Sequence, residues 1–176
     1  MNYEWFSGFL SGFLATLLGF GLTMLWDIYK QYQGVKQERI ILLKAIRQEC
    51  NDNLDVCKYN YRLLQEQLAV VGEGKTIVVP IILMLNTSMW ELSKIRLPAM
   101  SEADLKLLQD LAQCKNLAEY INETIHSRQI YMMTNQAMSN FSVRLEMYDI
   151  ELSKSHLQLS ELLKQFEATV ISSIKE

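Results

Sequence analysis

The residues able to do acid–base work are few: two histidines, His126 and His156, and three cysteines, Cys50, Cys57 and Cys114. An imidazole near a guanidinium can move a proton while the cation steadies a phosphate, a combination that suits RNA cleavage. Asn122, His126 and Arg128 lie close together in sequence, and His156 stands in a later stretch, so these four make up the one polar site the sequence offers. The stronger reading is that they line or decorate a helical bundle. Two histidines cannot supply a histidine metal cluster. No catalytic, cofactor-binding or metal-ligating residue is therefore assigned, no cofactor is expected, and the chain does not read as an enzyme.

Two enzymatic ideas fail on spacing. Nucleases of the HEPN superfamily are similar helical bundles with an arginine shortly before a histidine, but here Arg144 lies twelve residues before His156. Any site of that kind would be divergent. Gly72-Glu73-Gly74-Lys75-Thr76 ends like a phosphate-binding loop, yet Ala69 stands where the motif needs its first glycine, and the preceding segment reads as helix rather than strand. The cysteines are odd in number and not closely paired, which fits a reducing compartment. Cys50 and Cys57, two helical turns apart, read as small buried residues.

The elements that would position such residues begin with an apolar segment. Residues 5–26 carry no charged side chain and, at about 1.5 Å per residue, extend about 33 Å, enough to cross a bilayer. Trp5 and Trp26 sit at its ends, with Tyr3 and Tyr29 just outside, where amphipathic rings favour the headgroup region. Glu4 is the sole charge before it, which argues against a cleaved signal peptide. Lys30, Lys36, Arg39, Lys44 and Arg47 follow closely, so the expected topology is a short outer N-terminus and a cytoplasmic C-terminal part. That placement makes the sequons at Asn86 and Asn122 accidental.

Within this segment Ser7, Gly8, Ser11, Gly12, Ala15, Thr16, Gly19 and Thr23 fall on one half of the helix, and Phe9, Phe13, Leu17, Phe20 and Met24 on the other. Such a face lets another helix approach closely. With one span per chain, the expected partners are the bilayer and further copies of the same chain, packed through a helix-packing or pore face.

The expected organisation is an anchor over residues 1–27 and a cytoplasmic helical bundle over 28–176, an all-α fold. Of its 176 residues, 49% are hydrophobic, so a core can form without the anchor. A net charge of -3 gives no general attraction for nucleic acid, and DNA is not an expected partner. Leu43, Ile46, Cys50, Cys57, Tyr61, Leu64, Leu68 and Val71 predict a helical seam from Asp27 onward, interrupted only by Gly34. Pro80, acceptable in a first turn, predicts a second helix over residues 80–96, with a short strand at 76–79 as the alternative.

Ser101 and Asp104 mark a further helix start, followed by Leu107, Leu111, Cys114, Ala118, Ile121 and Ile125. Polar clusters at Thr134-Asn135, Ser139-Asn140 and Ser153-Lys154-Ser155 predict breaks, and Leu159, Leu163, Phe166 and Val170 a last amphipathic helix. Four or five antiparallel helices result.

In size, in the segment WFSGFLSGFLATLLGFGLTMLW and in its histidine-containing helices, the chain resembles the small accessory membrane proteins of type VI-B CRISPR systems. The resemblance covers the whole layout and no catalytic motif. It implies a ring-like homo-oligomer, an octamer among the sizes it admits, forming a gated pore in the bacterial inner membrane. Such a pore would depolarise the membrane and strengthen CRISPR-dependent anti-phage defence. An RNA-guided CRISPR nuclease or its RNA would then be a partner. The alternatives are a nonconducting tether that recruits a partner, and a divergent HEPN-like ribonuclease.

Overall fold

The computed structural model describes residues 3–72, 80–88, 90, 102–136, 138 and 140–175. The fold is all-α, built on α1 (Tyr3–Gly72), α2 (Glu102–Thr134) and α3 (Phe141–Lys175). Among the described residues there are thus three long helices rather than four or five. Met1–Ile41 and Leu42–Glu176 form two separate units, with α1 continuous through Trp26, Asp27 and Gly34.

In the first unit α1 is long and apolar enough to cross a membrane, and none of its most apolar window is buried. Leu18, Phe20 and Leu22 are each exposed by two thirds or more. A core helix of a soluble domain would be covered. Charge returns after Trp26, whose ring stacks with Tyr29 at 6.0 Å and carries the Lys30 ammonium 5.7 Å from its centroid.

The second unit is organised by three heptad seams. On α1 the seam reads Leu43, Ile46, Cys50, Asn53, Cys57, Asn60, Leu64 and Gln67, all buried. Tyr61 and Leu68, expected in it, are only half-buried. The seam keeps steps of three and four through polar residues, whereas a reading confined to apolar residues drifts round the helix. On α2 the seam runs Asp104, Leu107, Leu111, Cys114, Ala118, Ile121, Ile125 and Arg128, which contains every expected core residue. On α3 it runs Leu145, Asp149, Leu152, His156, Leu159, Leu163, Phe166 and Val170.

Cross-helix bonds set direction. Arg47 meets Glu167 at 3.0 Å, Asn60 meets His156 at 2.9 Å and Gln65 meets Ser153 at 2.6 Å, so α1 and α3 run antiparallel. Ser153 and Ser155 are buried within α3, and the break expected there does not occur. These small side chains serve the packing seam, and Ser153 accepts its bond from Gln65. The breaks expected at Thr134-Asn135 and at Asn140 fall in the connection between α2 and α3, and Ser139 lies outside the described residues. There Tyr131 stacks on Phe141 with centroids 5.6 Å apart.

Against these helices lies a segment that is not helical over residues 80–87. These residues form neither helix nor strand, and helical geometry is present at Ser88 and Trp90. The helix expected over 80–96 is therefore absent from 80–87, while residues 91–96 and the alternative strand at 76–79 lie outside the described residues. Ile82 and Leu85 are buried while Ile81, Leu83 and Met84 are exposed, so the segment turns one apolar side inward. Pro80 suits such a segment as well as it suits a helix start. Burying the two inner side chains is worth about 1.5–3 kcal/mol each.

Candidate functional site

A segment outside helix and sheet needs other partners for its backbone N–H and C=O groups. Here asparagine side chains supply them. Asn60 accepts from the Leu83 N–H at 3.0 Å and donates to the Leu83 carbonyl at 2.8 Å. Asn53 does the same for Asn86, at 2.8 and 2.7 Å, and Asn122 for Leu85, at 2.8 and 2.9 Å. A carboxamide carries a donor and an acceptor side by side and so matches both groups of one residue. The Asn86 side chain in turn accepts from Ser88 N–H at 3.1 Å, an N-cap for the turn that follows.

The spacing explains the fit. Asn53, Asn60 and Gln67 are seven residues apart, and seven helical residues rise about 10.5 Å. Asn86, Leu83 and Pro80 are three apart, and three residues can span about 10 Å of chain. The segment over residues 80–87, a strap across the bundle, therefore runs antiparallel to α1 in matched steps. At its Pro80 end, Arg128 donates from Nε to Asp149 at 2.6 Å and from Nη2 to Gln67 at 3.0 Å, and its Nη1 faces the Pro80 carbonyl at 3.5 Å.

Three of the four residues expected as a polar site, Asn122, Arg128 and His156, thus belong to the framework that seats the strap. His126 does not. It is exposed, about 200° round α2 from Arg128, which is 1% exposed. Among the described residues no histidine–arginine pair forms: Arg128 is committed to Asp149, and His156, fully buried, to Asn60 and the Leu152 carbonyl.

Those last contacts fix the state of His156. The Leu152 carbonyl, 2.7 Å from Nδ1, only accepts, so Nδ1 carries the proton. Asn60 Nδ2, 2.9 Å from Nε2, only donates, so Nε2 must be bare. Burial lowers the imidazole pKa below its ordinary value and agrees with a neutral ring, the Leu152 bond opposing it slightly. Burial likewise pushes the Asp149 carboxyl up, against the pull of Arg128. The free thiols of Cys57 and Cys114 are pushed up to about 12 by burial, and that of Cys50 further still, which makes all three poor nucleophiles.

The sequence reading passed over Asn53, Asn60, Gln67 and Asp149. A signal was present, since Asn, Asn and Gln recur every seven residues in phase with Leu43, Cys50, Cys57 and Leu64.

On the first helix, Gly12 and Gly19 share one face, and a Cβ added at either meets nothing within 4 Å. Thr16 donates to the Gly12 carbonyl at 2.8 Å and Thr23 to the Gly19 carbonyl at 2.9 Å. Both hydroxyls are satisfied inside their own helix. The side chains of Ser7, Gly8 and Ser11 lie outside the described residues. No protein-family model, curated protein or solved structure matches this chain.

Proposed function

We propose that this chain is a single-span, self-associating membrane protein that acts by assembly and not by catalysis. The observation that carries this is the twice-repeated Gly-x3-Thr step, Gly12 to Thr16 and Gly19 to Thr23, on an uncovered apolar helix. In lipid, where the hydrophobic effect does not drive helices together, close backbone approach does. A seven-residue repeat of small residues suits left-handed packing between copies. The polar residues of the bundle support the non-catalytic part, because Arg128 and His156 are sealed and engaged.

In this reading a ring of such helices encloses a gated passage through the bacterial inner membrane, with the bundles on the cytoplasmic side. That is the function implied by the likeness to the type VI-B CRISPR accessory proteins, and membrane depolarisation during phage attack is its consequence. The test is ion or dye flux from vesicles reconstituted with the full chain. Flux that disappears with Gly12→Ile supports the pore. Tight vesicles around a proven oligomer would replace it with a nonconducting anchor.

A further inference from the structure

The strap is joined to the bundle by side chains alone, and one of these joints contains a titratable ring. Among the described residues 80–88, no backbone hydrogen bond links the strap to a helix backbone. Leu83 depends on the Asn60 carboxamide, and the same Nδ2 that donates to its carbonyl also donates to His156 Nε2. The two hydrogens of that one nitrogen are divided between strap and ring, so the ring holds the carboxamide in the orientation that fits Leu83.

A proton on Nε2 would turn this contact into donor against donor. The carboxamide would then have to turn its oxygen toward the ring, presenting nitrogen to the Leu83 N–H, and both Leu83 bonds would be lost. We propose that residues 80–86 form a proton-operated latch, closed while His156 is neutral and released when His156 takes up a proton. Release bares Ile82, Leu85 and the row of asparagine amides.

Among the described residues, no charged group on the surrounding elements holds the ring in either state. The strap from Pro80 to Ser88 has no titratable side chain, and on α1 the buried titratable neighbour of Asn60 in the seam is Cys57, whose thiol stays protonated. On α2, Glu123 and His126 are exposed, and half-exposed Glu119 is paired with Lys115. On α3, Glu151, Lys154 and Glu161 are exposed, and Asp149 is held by Arg128 two turns away. The ring's preference for neutrality comes from burial, which a local opening removes.

The experiment is residue-resolved hydrogen exchange on the full chain in lipid nanodiscs, corrected for intrinsic rates, together with NMR titration of the His156 ring. Protection of the Leu83 amide should fall about tenfold or more as the pH is lowered from neutral to well below the ordinary imidazole value of about 6.5, with the midpoint of the ring titration. His156→Gln, whose oxygen can accept from Asn60 in either condition, should abolish the fall, and His126→Gln should leave it intact. Unchanged Leu83 protection in the wild type, a midpoint distinct from that of His156, or a fall that persists in His156→Gln would overturn the latch. Should His156→Gln fail to fold, the two wild-type midpoints decide alone.

Discussion

Asn53 and Asn60 stand two turns apart on the same face of α1, and each holds both backbone groups of one strap residue. Replacing either by alanine strips a partly buried N–H and C=O of their partners together. Asn53→Ala and Asn122→Ala should each cost about 1–3 kcal/mol in denaturant unfolding of the detergent-solubilised chain. Because one strap shares both joints, the double variant should lose less than the sum.

Arg128 and Asp149 are a buried ion pair, each side chain 1% exposed. Arg128→Leu leaves the carboxyl without its partner and should cost about 3–5 kcal/mol. Combining Arg128→Met with Asp149→Leu should recover most of that loss, since apolar replacements for a buried pair are often near neutral. Equal destabilisation in the single and double variants would show that the pair contributes packing shape and not charge.

Acid should weaken the second unit through His156. Its folded pKa lies below the ordinary 6.5, so on lowering the pH the unfolded chain takes up a proton before the folded one does. Stability is then constant above about pH 6.5, falls as pH drops through the interval between the two pKa values, and levels off below the folded one. Unfolding midpoints across this range would show it, and His156→Gln should flatten the slope there.

Gly12 and Gly21 lie nine residues apart, about 180° round the same helix, and an added Cβ is free at both. Gly12→Ile should reduce the oligomer while insertion is retained; Gly21→Ile should change neither. Crosslinking in membranes reads both. Equal behaviour of the two variants would leave the small-residue face without a role in assembly.

Much of this architecture was legible in the sequence because apolar periodicity reports burial directly. Leu107 to Ile125 and Leu159 to Val170 were placed on the right faces for that reason, and Cys50 and Cys57 were rightly read as buried. Polar core residues escaped, because Asn53, Asn60 and Gln67 look like surface positions until an element lacking its own hydrogen bonds lies against them. Pro80 was ambiguous for a physical reason, since its fixed φ serves a helix start and a non-helical strap alike. Ser153 and Ser155 misled in the other direction, a serine cluster being as suited to a tight helix seam as to a turn.

The most direct test of the central claim is the mass of the full chain extracted into native lipid particles, read by native mass spectrometry across a range of protein concentrations. The account predicts one discrete assembly of several subunits, lost with Gly12→Ile and kept with Gly21→Ile. A single 20.4 kDa subunit at every concentration would contradict it.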